Sequence, residues 1–533
     1  MDHLILTSCG SCGRALGLAV LVATVLVAVA PASAQGTSEE RACAASVDFG
    51  HAGPLLDAKI ATCSALIQSG RYKEADLANL YNQRASAYQA KGASDQAMAD
   101  YDQAVRLNPL NAKVFNSRGM ARDEKGNHNM AIADFNEAIR LAPRFADAFA
   151  NRGIASHAQS DLDRALADFD QALNLDPTLG KVYAQRAGVR RDKGDRDGAL
   201  SDLEQAIHLS PNDAKLYSER GLVWYAKGDF DHAIADFDQA IRLDPTSSRA
   251  YSNRGNVWDD KGNQDRALAD YDQAIRLDPG NVAAYHNRGI MWRRQGALDR
   301  AIADFDQAIH GDATNANLYS ERGLLWSDKG QYDRAIADFS QALKIDPNLA
   351  GCYNNRGNAF DEKGDTAHAL ADYDQALRLN PNLASAYVNR GILARHKGEF
   401  DRAIADFDHA ARIDPALASA YSNRGLAWSG KRDFERAITD LTRAIELKPN
   451  DALAYSNRGW AQHQMGREQE ALADVDKAIE LDPKHGTAFN RRAQVYEKLG
   501  ERDKAIADFK MAAKLDPNFA EPTAALKRLG AVR

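Results

Sequence analysis

Arginine recurs at every thirty-fourth residue from Arg84 to Arg492, and sixteen residues after each stands an aspartate, from Asp100 to Asp508. Guanidinium and carboxylate groups at fixed spacing can form charge-assisted pairs, and thirteen copies argue for a structural ladder of ion pairs, with Arg254–Asp270 and Arg356–Asp372 as representative rungs. A ligand-binding stripe is the competing reading. Other groupings able to do chemistry are missing from the sequence. It contains no H-E-x-x-H, no G-x-x-x-x-G-K-[ST] and no G-x-S-x-G, and the aspartates around Asp192, Asp195 and Asp197 lack the spacing and final Glu of a calcium loop. The sequence therefore gives no basis for catalysis and calls for no cofactor or metal.

The elements that must position these pairs follow from the same period. A proline closes almost every unit of 34 residues, from Pro109 to Pro517, and Ala313 is the one substitution in that series. Such a period marks a solenoid whose units bury their apolar faces on their neighbours. Between Ser248 and Asn281, Tyr251, Gly255 and Trp258 share one face of a first helix that ends at Lys261-Gly262. Ala267, Tyr271 and Ala274 share a face of a second helix that stops at Asp278-Pro279. Gly255 and Ala267 are small enough to let the hairpin close. His310-Gly311-Asp312-Ala313 breaks the usual ending, which predicts either a more pliable joint after the seventh unit or a harmless variation.

This pattern resembles the tetratricopeptide repeat family, carried here by sets such as Tyr217, Gly221, Ala233, Ala240 and Pro245. The resemblance spans thirteen units over residues 78–519 and implies an all-α fold, an alpha-alpha superhelix of helix-turn-helix pairs, with residues 520–533 as a C-terminal capping helix. It also implies an inner wall built largely from first helices, and binding of peptides or proteins as the usual activity. The ladder arginine departs from the family, which generally has an apolar residue there. The family's well-known carboxylate site uses a lysine at the fifth place of a unit, where this chain has Ser252, His286, Asn354, Val388, Ser422 and Ser456.

Candidate groove residues are the large apolar side chains at the ninth place: Met120, Ile154, Leu222, Ile290, Leu324, Ile392, Leu426 and Trp460. Exposed clusters of this sort mark recognition surfaces, whereas packing between successive first helices is the plainer role for them. Charge on the same wall changes sign in blocks. Asp259 with Asp260 and Asp361 with Glu362 are acidic, and Arg293, Arg294 and Arg395 with His396 are basic, which suits a polar peptide or ordinary solvation. Tryptophans at the eleventh place, such as Trp224 and Trp258, are expected in the core.

The net charge of -7 comes from signs interleaved within every unit, so no basic block awaits nucleic acid or an anionic membrane surface. Arg14, the apolar run Ala15–Ala30 and Pro31-Ala32-Ser33-Ala34 form the pattern of a secretory signal over residues 1–34, cleaved before Gln35. An uncleaved N-terminal anchor is the alternative; after cleavage no integral membrane segment is expected. Cys9 and Cys12 would leave with the signal. Residues 35–77 then form an N-terminal cap in which Cys43 and Cys63 could close a disulfide in an oxidising compartment, or stay unpaired. Cys352 reads as a packing residue. Together these features predict a periplasmic or secreted non-catalytic scaffold for a protein or peptide ligand, with an architectural, self-associating component as the alternative.

Overall fold

The computed structural model describes residues 37–45 and 53–531, so the signal pattern of residues 1–34, with Cys9 and Cys12, lies outside the described residues. All regular structure among the described residues is helical. Two helices, α1 (Ser38–Ala44) and α2 (Gly53–Gln68), precede thirteen helix pairs that run from α3 (Glu74–Ala90) and α4 (Ser94–Leu107) to α27 (Gly486–Lys498) and α28 (Arg502–Leu515). A last helix, α29 (Ala520–Arg528), follows. The chain divides into two compact blocks between Thr246 and Ser247. Within each block, the two helices of a pair pack on one another and the second packs on the first helix of the next pair, the stacking that defines an alpha-alpha superhelix.

Each hairpin is held by a short list of residues. Ala267, Tyr271 and Ala274 are buried on one face of the second helix, and an added Cβ on Gly255 would come 2.8 Å from the Tyr271 ring. In this unit glycine lets the first helix lie directly on the aromatic of the second, while Ala85 beside Tyr101 and Ala493 beside Phe509 fill the same place with one more carbon. The turn between the helices needs a left-handed residue, supplied by glycine in eleven units and by Ser160 (φ 64°) and Arg432 (φ 64°) in the other two. At the far end, in all units but those ending at Ala142, Ser210 and Lys448, an Asp or Asn side chain at the C-cap accepts a hydrogen bond from the backbone N–H two residues on, as Asp278 does from Gly280. Tryptophans of the eleventh place are half-buried rather than core. The Arg266 guanidinium lies 4.5 Å from the Trp258 ring centre and that of Arg436 lies 4.6 Å from Trp428, so a cation covers the face that packing leaves open.

The irregular seventh unit has a packing explanation. Its second helix, α16 (Leu298–Gly311), ends with the same C-cap geometry as its neighbours, and Asp312 accepts from the Thr314 N–H (3.0 Å) and hydroxyl (2.8 Å) without help from proline. Gly311 stands where other units have Leu or Ile, and Val282 stands where they have Ala, Gly or Ser. An added Cβ on Gly311 would meet Val282 Cγ2 at 2.6 Å. The bulk has moved from the end of the second helix to the start of the first, so the glycine makes room for Val282 while the C-cap keeps the common geometry.

Both ends are covered. At the N-terminus Cys43 and Cys63 form a disulfide (S–S 2.00 Å), and Lys59 Nζ donates to the Ala45 carbonyl at 2.8 Å, which ties α1 to α2. At the C-terminus Ala525 and Leu526 of α29 bury against Ala493, Ala505 and Phe509. Arg528 pairs with Glu497 at 2.7 Å.

Candidate functional site: the first-helix face

Two sets of residues leave the first helices, and the structure separates them. The ladder arginines point into the hairpin. In all thirteen units Nε and one terminal nitrogen grip both oxygens of the aspartate sixteen residues on, as in Arg254–Asp270 (2.8 and 2.6 Å) and Arg356–Asp372 (2.8 and 2.8 Å). These aspartates are buried, with 2% to 7% of their surface exposed. The guanidinium also rests 5.5 Å from the Tyr251 ring in one unit and at similar distances from the aromatic three residues earlier in every other. Its remaining nitrogen often reaches back to the second helix of the preceding unit, as from Arg288 to Asp272 at 2.5 Å and from Arg390 to Asp374 at 2.7 Å. One side chain thereby joins three helices. The hydrogen bonds that Arg288 donates to Asp304 hold its proton more tightly than in a free guanidinium, so the group is charged at every accessible pH.

The other set begins with the large apolar side chains of the ninth place. Met120, Ile154, Leu222, Ile290, Leu324, Ile392, Leu426 and Trp460 are all half-buried. Met120, Ile154, Ile290, Leu324 and Ile392 each pack against a buried apolar cluster with one side and remain accessible on the other. The Trp460 ring lies 5.6 Å from that of His463, whose Nδ1 stands 2.6 Å from Glu468. Of the large apolar side chains that are most exposed, Leu110 and Met130 lie elsewhere, and Leu453 stands at the second place of the first helix α25 (Ala452–Gln464). The apolar part of this face is therefore a row of shallow, partly filled steps.

Rungs between neighbouring first helices, not visible from residue types alone, organise the polar part. The twelfth residue of one unit repeatedly meets the thirteenth of the next: Gln89 with Glu124 (2.6 Å), His157 with Asp192 (2.8 Å), Asp259 with Arg294, and Arg293 with Asp328 (3.0 Å). Arg293 and Arg294 are thus already paired. Asparagines add lateral bonds, as from Asn151 to Asn116 (3.0 Å) and from Asn389 to Asn354 (2.9 Å). A spacing of 35 residues, one more than the repeat, is the signal that would have revealed the rungs. Cys352 is buried, and burial pushes its thiol up to about 11, which leaves it inert at neutral pH. Among the described residues no cluster of three or more His, Cys, Asp or Glu side chains is arranged to hold a metal, and no helix is long and apolar enough to cross a membrane.

A frame repeated in every unit, with a changing face laid over it, is the anatomy of a repeat scaffold. Tetratricopeptide repeat models match residues 82–143, 117–179, 185–248, 253–317, 350–383, 372–405, 452–485 and 487–519, and a TPR repeat model matches 327–364 and 432–466. The chain belongs to the tetratricopeptide repeat family, whose members bind proteins or peptides and are typically non-catalytic scaffolds. Similar solved structures include the Cut9-Hcn1 hetero-tetramer of APC/C, 15% identical over 89% of this chain and 93% of that one, with a TM-score of 0.45. YrrB, described as a TPR protein with an unusual peptide-binding site, is 28% identical over 36% of this chain and 97% of its own, with a TM-score of 0.30. A tetratricopeptide repeat protein from Parabacteroides merdae is 21% identical over 47% and 98%, with a TM-score of 0.39. No match was found among curated proteins.

Proposed function

We propose that this protein is a non-catalytic adaptor that holds an extended protein segment along its first-helix face, in an exported or cell-envelope setting. The observation that carries the reading is the contrast between the two sets. The Arg–Asp forks do not vary, while the ninth, twelfth and thirteenth places change size and sign from unit to unit. A surface whose half-buried apolar steps and charges differ at every repeat can read the register of a bound chain. Export is supported by the signal pattern of residues 1–34 and by the Cys43–Cys63 disulfide, which an oxidising compartment would preserve.

The test is affinity capture from the native exported proteome with the chain from Gln35 onward, beside a Leu324→Ala, Ile392→Ala, Trp460→Ala variant. Partners should be lost or reduced at least tenfold in the variant, and cross-links to them should fall on first helices. Equal capture by both proteins, or cross-links confined to the ends and second helices, would overturn the reading. Recovery of the chain alone would favour self-association instead.

A further inference from the structure

One rung on the first-helix face is half built. Arg395 is the twelfth residue of its unit, at the end of α21 (Ala384–His396), the same place that Arg191 and Arg293 hold in theirs. Each of those two reaches a carboxylate at the sixth place of the next unit: Arg191 meets Glu219 at 2.8 Å, and Arg293 meets Glu321 at 3.4 Å. Arg293 also takes Asp328 at the thirteenth place, 3.0 Å away. In the unit after Arg395 both partners are gone. The sixth place is Asn423, whose amide donates back to the Ser419 carbonyl of its own helix at 2.9 Å, and the thirteenth is Gly430. Gly430 cannot be a disguised side-chain site, because an added Cβ there would collide with the Phe400 ring.

The guanidinium is nevertheless drawn into the protein. Arg395 is half-buried, its Nε is buried with no hydrogen-bond partner, and among the described residues no carboxylate lies within ion-pair distance. Its one polar side-chain contact is His396 Nε2 at 3.0 Å, which supplies no negative charge. Burial lowers its proton affinity with nothing to offset it, whereas neighbouring Arg390, held by Asp406, is shifted upward. A buried charge left without a counter-ion is costly, and a cation oriented like Arg293 but lacking both anions is preorganised for one from outside. Ile392 stands three residues earlier on the same helix as an apolar step beside it.

We propose that Arg395 is the anchoring site for a carboxylate of the bound protein segment, either an Asp or Glu side chain or a chain terminus. The proposal rests on the adaptor reading and deepens it by naming the chemistry of the partner at this step. Binding completes, between two molecules, the rung that Asp328 completes within the chain for Arg293.

The probe is a displayed library of random dodecapeptides, selected against the chain from Gln35 onward and against its Arg395→Gln and Asn423→Glu variants. Asn423→Glu gives Arg395 the internal partner that Glu219 and Glu321 give its counterparts, so it should occupy the site without removing the arginine. Selected peptides are then resynthesised with each Asp or Glu changed to Asn or Gln, and separately with the C-terminus amidated, and their affinities compared by fluorescence anisotropy. Circular dichroism checks that both variants fold. For the unmodified chain one of these two changes should weaken binding about tenfold and thereby identify the source of the carboxylate. In both variants the same change should matter less than twofold. Selected peptides that tolerate both kinds of change on the unmodified chain, or a carboxylate that counts equally in all three proteins, would overturn the proposal while leaving the adaptor reading standing. Failure of the unmodified chain to select any peptide would instead count against the adaptor reading itself.

Discussion

Arg288 and Arg293 leave the same helix, α15 (Val282–Arg294), five residues apart, and they do different work. Arg288 grips Asp304 with two hydrogen bonds of 2.8 and 2.5 Å, and the aspartate side chain is 7% exposed. Arg293 meets Asp328 and Glu321, whose side chains are 44% and 24% exposed. Every unit has a counterpart of the first arginine, but only some have one of the second. Burial explains the difference. A buried fork that joins three helices cannot lose one partner without stranding the other, so each unit must keep both. A rung in partial contact with water tolerates change, and so it is where neighbouring units come to differ.

The sharpest way to break this comparison is to cut one pair of each kind. Asp304→Leu should destabilise its hairpin by about 3–5 kcal/mol, because Arg288 is left partly buried beside an apolar group. Arg288→Met with Asp304→Leu should recover much of that loss. Arg293→Met should cost about 0–1 kcal/mol. Hydrogen exchange resolved to α15 and α16 is the suitable readout, since a long repeat array need not unfold as one unit. Equal protection losses in the Asp304 and Arg293 variants would remove the distinction between frame and face.

The N-terminal cap sharpens the comparison from the other side. Arg84 has no preceding unit to reach back to, and its third contact is Ser64 Oγ of α2 at 3.0 Å, in the place that Asp102 fills for Arg118 at 2.8 Å. The helix that carries Ser64 is held by the adjacent Cys63 to Cys43. The cap thus imitates a second helix and is stapled where it has no predecessor to lean on. Replacing both cysteines by serine should cost the cap about 3 kcal/mol on loop-entropy grounds. Exchange protection should fall in α1, α2 and α3 and remain unchanged beyond the first few units. Loss of protection along the whole block would mean that the frame is more cooperative than its local forks imply.

The seventh unit offers a test of middle size. Gly311→Leu restores the common residue but drives it against Val282, and should destabilise that hairpin by about 1–3 kcal/mol. Adding Val282→Ala should return most of the loss. Two non-interacting changes would simply add, and a thermal-melt cycle of the four proteins would show it.

The frame was more legible in the sequence than the face, and the reason is physical. Tyr271, Ala267 and Gly255 must occupy one small volume, so their types and spacing repeat and can be read directly. Arg254 and Asp270 repeat for the same reason. The rungs join residues 35 apart in types that change, Gln89 to Glu124 here and His157 to Asp192 there, and a pattern of position without a pattern of identity leaves no motif. Tryptophan's size alone points to the core. Trp258 is apolar enough for a core, but the nearby Arg266 covers it at the surface. Gly311 was hard to interpret because its partner Val282 lies 29 residues earlier, at a place where the other units carry only small residues.

The smallest expected effect concerns the turn. Eleven units place glycine at the left-handed position, whereas Arg432 holds it at φ 64°. Its N–H donates to the Ser429 carbonyl at 3.0 Å, just as the Gly364 N–H donates to Asp361 at 2.7 Å, so the turn keeps its geometry and bears the strain of a Cβ. Arg432→Gly removes that strain and gives back part of the gain through the greater freedom of glycine in the unfolded chain, for a net stabilisation of about 0.5 kcal/mol. The direction matters more than the size. If the turn belongs to the frame, Arg432→Gly should raise the melting temperature slightly and leave peptide selection unchanged. A variant that is no more stable but selects different peptides would place the turn with the recognition face, and the boundary between the two would have to be redrawn around Arg432.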